Sequence, residues 1–269
     1  MMPFGDPTAR DLLDFYRDAG ADALVGEEPV DRFAAVDAPV APIAPREPAP
    51  DRVARAMPAP LADPQALAAP DEAAVSARAA AKSAGTLTEL RAILETFEGC
   101  GLKATASRVV FGDGNPQARV MLVGEAPGRD EDIEGLPFVG RSGKLLDLML
   151  AAIGLDRTSV YIANIVPWRP PGNRDPSPHE SAICLPFILR QIELVDPDFL
   201  VCLGKPSMQT LLGIKEPITK ARGRWVIFNT GRRDIRAIAT FHPAFLLRSP
   251  LQKRFAWRDY LAVKKALDG

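Results

Sequence analysis

Val120-Met121-Leu122-Val123 runs straight into Gly124-Glu125-Ala126-Pro127-Gly128. An unbroken apolar run of this kind reads as a strand covered on both faces, and the glycine turn behind it sets a carboxylate at the strand's carboxyl end. In open α/β sheets that is where ligands bind. Outward from this strand, apolar runs at 120–124, 160–166, 198–203 and 237–241 alternate with helix patterns at 87–98, 142–153, 178–195, 205–213 and 250–267. The alternation predicts a central parallel sheet between helical layers, a three-layer α/β/α sandwich, with 225–228 as a peripheral strand or hairpin arm.

The rest of the chain is composed differently. No aromatic side chain occurs from 34 to 96, and residues 39–70 hold nine prolines among 32 positions, with alanine filling much of the remainder. Such a stretch lacks the bulky apolar surface that offsets conformational entropy, so residues 34–82 are expected to form a disordered, semi-extended linker. Ahead of it, residues 1–33 carry one amphipathic helix pattern: Thr8 as a cap, then Leu12, Leu13, Phe15, Tyr16, Ala19 and Leu24, with Gly26 beyond the end. An isolated helix of this size is marginal in water. Its apolar face either docks on a partner through residues 8–25, or packs back on its own chain, or the segment is disordered.

Charge divides along the same line. Residues 1–82 contain 8 Lys and Arg against 14 Asp and Glu, and the remainder contains 25 against 20, so a net charge of −1 conceals a mildly basic second part. That balance suits a phosphate-contacting surface. No apolar run approaches the ~20 residues of a membrane span, and there is no basic region followed by a signal-like apolar segment. A monomeric cytoplasmic protein is expected. Cys100, Cys184 and Cys202 are too few and too scattered for a secreted disulfide framework.

Four further motifs sit at or near strand ends. They are Pro137-Phe138-Val139-Gly140, Asn164 closing Val160-Tyr161-Ile162-Ala163, Pro170-Pro171-Gly172-Asn173, and His242-Pro243-Ala244-Phe245-Leu246-Leu247-Arg248. In this order they resemble the uracil-DNA glycosylase superfamily, closest to its iron-sulfur-bearing group, family 4, from about Leu87 onward. The resemblance implies a monofunctional glycosylase that hydrolyses the N-glycosidic bond of uracil in single- or double-stranded DNA and so starts base excision repair. Residues 83–269 would be its catalytic domain, and a partner docking on residues 8–25 would be a repair or replication protein.

The resemblance also assigns roles. Gly124, Glu125, Ala126 and Gly128 would form the pocket floor, with main-chain amides on the uracil oxygens and Glu125 facing sugar or water. Phe138 would stack on the extruded base, which contributes ~1–3 kcal/mol, or else pack in the core. Asn164 would read the Watson–Crick edge of uracil, where cytosine offers a mismatched donor, and His242 would donate to a uracil oxygen as the base leaves. Leu246 would plug the gap left by the flipped nucleotide, or else be buried. Arg248, Arg169, Asn173, Arg174, and Ser142 and Lys144 at a helix start would contact the DNA backbone.

The chain departs from the family pattern in three places. The aspartate that orients water in the best-known members is Ala126 here, leaving Glu125, Glu131 or a water held by Asn173 as replacements, although Glu131 and Asp132 equally suit a loop-capping role. Gly128 stands where strict uracil enzymes carry a thymine-rejecting tyrosine, which keeps open a broader hypoxanthine or xanthine glycosylase. Loss of the carboxylate at 126 likewise keeps open a non-catalytic uracil-DNA-binding module. Finally, only Cys100 and Cys184 match the four cysteines of the family's [4Fe-4S] cluster, the others falling on Phe97 and Trp168. Two thiolates do not make a four-cysteine shell, so no metal or organic cofactor is expected, with Phe97 and Trp168 filling the cluster's space and Cys202 an ordinary buried hydrophobe.

Overall fold

The computed structural model describes residues 70–269. The amphipathic segment and the linker as far as residue 69 lie outside the described residues. The elements run α1 (Pro70–Ser83), α2 (Leu87–Thr96), β1 (Asp113–Gly114), β2 (Val120–Gly124), α3 (Arg129–Glu134), α4 (Arg141–Ala151) and β3 (Val160–Asn164). They continue α5 (Pro178–Val195), β4 (Phe199–Leu203), α6 (Lys205–Leu212), α7 (Ile218–Ala221), β5 (Trp225–Asn229), β6 (Asp234–Thr240), α8 (Pro243–Arg248) and α9 (Lys253–Leu267).

The six strands form one sheet in the order β1-β3-β2-β4-β6-β5. The four inner strands are parallel, and β1 and β5 pair antiparallel at the two edges. Side chains alternate between two cores. Met121, Val123, Tyr161, Ala163, Leu200 and Cys202 face α1, α2, α5 and α6, while Val120, Leu122, Val160, Ile162, Val201 and Ile238 face α4 and α9. Burial on both faces is why the strands read as unbroken apolar runs rather than as alternating ones. Local chemistry starts the helices where the pattern predicts: Thr86 Oγ1 accepts from Glu89 N–H at 3.2 Å, and Ser177 and Glu180 form a reciprocal capping box with Pro178 at the first helical position.

The last part of the expected linker departs from expectation, because residues 70–82 belong to helix α1. Composition misled here by treating alanine as too small to build a core. Ala73, Ala77, Ala81 and Ala84 fall on one helical face and are no more than 4% exposed, and their smallness lets α1 lie close along α5. Arg190 of α5 adds two hydrogen bonds, at 2.9 and 2.6 Å, to the Ala84 carbonyl at the helix end. A chain truncated before residue 84 should therefore melt about 5 °C or more below one truncated before residue 70. Thermal unfolding followed by circular dichroism checks this, and equal melting temperatures would remove α1 from the folded unit.

Candidate active site

Parallel register brings the strand ends together. Gly124 pairs opposite Asn164, and Leu203 opposite Thr240. From β2 the chain crosses first to β3 on one side and later to β4 on the other, so the crevice beyond β2 is a topological switch point. A cavity of about 630 Å³ opens there. Of the residues predicted from sequence, Gly124, Lys144, Arg169 and Leu246 stay outside its lining, and all the others line it.

Gly124 acts from behind the wall. A Cβ at this position would lie 2.4 Å from Asn164 Oδ1 and 2.7 Å from Phe138 Cζ, so only glycine lets the amide and the ring close over the strand end. Phe138 is buried at 4% exposure and is held in the left-handed backbone region at φ 55°, a conformation that costs a bulky residue about 1–3 kcal/mol. Its ring centroid lies 5.4 Å from that of His242, the planes inclined by 31°. Asn164 Oδ1 is buried and has no hydrogen-bond partner among the described residues. A buried acceptor left unmade costs about 1–3 kcal/mol, and a ligand N–H presented in the cavity would restore it.

His242 caps α8. Its Nδ1 accepts from Ala244 N–H at 3.1 Å, which places the ring proton on Nε2 and fixes the imidazole as a donor through that atom. Burial, and then the positive charge of Arg248, lower its pKa to about 4, so the ring is neutral at physiological pH. Glu125 is shifted the other way. Burial, and then the negative charge of Asp175, raise its carboxyl to about 6, and it is ionised above that value.

Of the two tasks weighed for Glu131, the contacts match loop capping. Its carboxylate accepts from Gly128 N–H at 3.0 Å, Val139 N–H at 3.1 Å and Gly140 N–H at 3.0 Å. Both oxygens are thereby committed to tying the turn at 128 to the Phe138 loop, which argues against a water-orienting base. Asp132 is likewise structural, accepting from the Ser107 backbone and hydroxyl at 2.8 and 3.0 Å. Asn173 Oδ1 accepts from Arg169 Nε at 2.7 Å, which fixes the amide in the cavity lining and leaves its Nδ2 hydrogens without a partner among the described residues. Arg174 pairs bidentately with Glu180, at 2.6 and 2.8 Å, which fixes the loop ahead of α5 and leaves its guanidinium less free for phosphate than expected.

Leu246 is a correction. It is fully buried among Phe241 and Ala256, because its position in α8 turns it toward the core. The next two residues, Leu247 and Arg248, are exposed instead. Sequence reading also missed Asp175, Lys205 and Thr219, all of which line the cavity. Lys205 had a usable signal, since Gly204-Lys205 follows the apolar run of β4 just as Gly124-Glu125 follows β2.

Comparison with known families assigns the chain to one of them. The family profile described as Uracil DNA glycosylase superfamily matches residues 111–262, more than half of the chain. The chain belongs to the uracil-DNA glycosylase superfamily. Within that superfamily it is similar to the type-4 uracil-DNA glycosylase of Archaeoglobus fulgidus, 43% identical over 155 residues that make up 56% of this chain and 78% of that protein. The type-4 enzyme of Thermotoga maritima is 45% identical over 151 residues, 56% of this chain and 77% of its own. That of Saccharolobus solfataricus is 42% identical over 173 residues, 62% and 80% respectively. These identities place this uracil-DNA glycosylase in the type-4 group.

Type-4 resemblance implies an iron-sulfur cluster, and the side chains do not fit one. Cys100 and Cys184 are buried, with Cys184 Sγ donating to Cys100 Sγ at 4.0 Å. That hydrogen bond, and then burial, raise the Cys184 thiol above its ordinary value, and the two thiols supply only half of a four-cysteine shell. Phe97 and Trp168 are packed in the same core as the two thiols, with the Phe97 ring set edge-on to Phe187 at 5.0 Å. Among the described residues, no group of three or more His, Cys, Asp or Glu side chains is placed to hold a metal ion. Phe97 and Trp168, which the resemblance sets at the two remaining ligand positions, are buried aromatic side chains with no sulfur to offer a metal.

Proposed function

We propose that this chain is a monofunctional uracil-DNA glycosylase whose own side chains carry the reaction. The observation that carries this reading is the pairing of an unpartnered, buried Asn164 Oδ1 with a neutral His242 donor in one cavity walled by Phe138. Uracil needs each of the three. Its N3–H meets the orphan acceptor of Asn164, its ring stacks on Phe138, and the oxygen that gains negative charge as the glycosidic bond breaks takes a hydrogen bond from His242 Nε2–H. A neutral donor suffices, because the charge on the departing base develops only in the transition state.

The sugar that remains is cationic. Of the carboxylates that line the cavity, Glu125, Glu131 and Asp175, Glu131 is committed to backbone N–H groups, and Glu125 at the β2 end is the one assigned to face the sugar. Its charge stabilises the oxocarbenium character of the sugar and orients the attacking water, which makes good the missing aspartate at Ala126. Ser142, Lys205, Arg248 and the exposed Leu247 meet the DNA around the flipped nucleotide, with Leu247 rather than Leu246 placed to fill the vacated stack. Among the described residues no helix is long and apolar enough to cross a membrane, and uracil-containing DNA is the substrate.

A labelled duplex with a single U·G pair tests this reading. Wild type should yield a strand that breaks only after alkali, with Asn164→Ala and His242→Ala each about a hundredfold slower while remaining folded. Duplexes carrying thymine or hypoxanthine at the same site, run in parallel, measure how far the glycine at 128 widens base choice. Binding without any abasic product would replace this reading with a recognition module, and strand breakage without alkali would replace it with lyase chemistry.

A further inference from the structure

The left-handed backbone at Phe138 requires something to hold it, and the groups that do so come from elsewhere in the chain. Arg157 lies in the loop between α4 and β3, 19 residues beyond Phe138. Its Nη1 donates to the Pro137 carbonyl at 3.1 Å, and its Nη2 donates to the Phe138 carbonyl. The guanidinium is itself anchored by ion pairs to Asp113 and Asp147, each at 2.8 Å. On the other side of the same carbonyl, a Cβ on Gly143 would come within 1.7 Å of Phe138 O, so the peptide is gripped between a cationic fork and a bare helix backbone.

We propose that Arg157 is a positioning residue for uracil excision, acting through Phe138. By donating to two adjacent carbonyls at once, it keeps the peptide in the orientation that presents the Phe138 ring to the cavity beside His242. A lysine could satisfy one of the two carbonyls but lacks the planar fork that spans both while pairing with two carboxylates. Arg157 does not line the cavity, so its contribution passes through the platform and not through DNA contact. This inference rests on the stacking role given to Phe138, and the experiment separates the two.

Single-turnover excision from a U·G duplex would be measured for wild type, Phe138→Ala, Arg157→Gln, Arg157→Lys and the double variant Phe138→Ala with Arg157→Gln, each with its melting temperature. Arg157→Gln should lower the maximal rate about thirtyfold, since misplacing a substrate-positioning group costs rate at that scale, and should leave the half-saturating DNA concentration within about twofold. Arg157→Lys, which retains the charge and fold more securely, should recover part of the rate. In the double variant, Arg157→Gln should cost less than about threefold beyond Phe138→Ala, the signature of two residues acting as one unit. Losses that multiply in the double variant, or a near-wild-type rate for Arg157→Gln beside a slow Phe138→Ala, would overturn the positioning role. A Phe138→Ala enzyme as fast as wild type would overturn the stacking reading and the clamp with it.

Discussion

Gly124→Ala is expected to slow uracil excision about a thousandfold in a protein that still folds. The added methyl would sit 2.4 Å from Asn164 Oδ1 and 2.7 Å from Phe138 Cζ, both well inside van der Waals contact, so one or both side chains must move. Moving the amide forfeits the hydrogen bond that matches uracil, worth about 1–3 kcal/mol where the partner group is buried. Displacing the ring forfeits stacking, also ~1–3 kcal/mol. A combined loss of roughly 4 kcal/mol corresponds to about three orders of magnitude in rate. The backbone of β2 is not at issue, because an extended strand accepts alanine as readily as glycine and its pairing with β3 and β4 is unchanged. Single-turnover abasic-site formation, read beside a thermal melt, checks both halves. A rate within tenfold of wild type would mean that Asn164 and Phe138 relax without loss, and that neither is held where the chemistry needs it.

The same residue illustrates what was legible in the sequence. A glycine after an apolar run marks a strand end, and strand ends in a doubly wound sheet are where ligands bind, so the place of the cavity was legible in the pattern, while Glu125, Phe138, Asn164 and His242 were singled out by motifs that resemble those of the uracil-DNA glycosylase superfamily. What could not be read was which way a side chain turns once tertiary packing is set. Glu131 and Glu125 are six positions apart in one motif, yet three backbone N–H groups claim the first while the second faces the cavity. Leu246 and Leu247 are neighbours with the same chemistry, and the phase of a six-residue helix decides which one is buried. Helix α1 was hidden for a different reason: an alanine-rich face gains its burial from closeness to α5, a long-range property that composition does not carry. Arg157 gave no local signal at all, because its two acceptors lie about twenty residues upstream.

Glu125→Gln should move activity and stability in opposite directions, which makes it the sharpest test of the carboxylate's role. An ordinary glutamate carboxyl has a value of 4.5, and burial with the nearby Asp175 charge raises that of Glu125 to about 6 in the folded protein. The unfolded chain therefore releases this proton near pH 4.5 and the folded protein near 6. Between those values the folded state binds more protons, so stability falls as pH rises through the window and the full penalty stands above about pH 6. Glutamine keeps the shape and carries no charge. The variant should melt with wild type below pH 4.5 and about 2 °C or more above it beyond pH 6. Activity should respond the other way, since only the ionised carboxylate stabilises a cationic sugar: wild-type excision should rise with pH to a plateau above about 6, and Glu125→Gln should be flat and about a thousandfold slower. His242 leaves this window undisturbed, its own titration lying near 4. A group kept in place at a cost to the fold, and needed in its costly charged form, is a catalytic group. A wild-type rate that ignores pH between 5 and 8, or a glutamine variant that melts lower, would return Glu125 to the structure of the turn and leave the cationic sugar to be stabilised by Asp175.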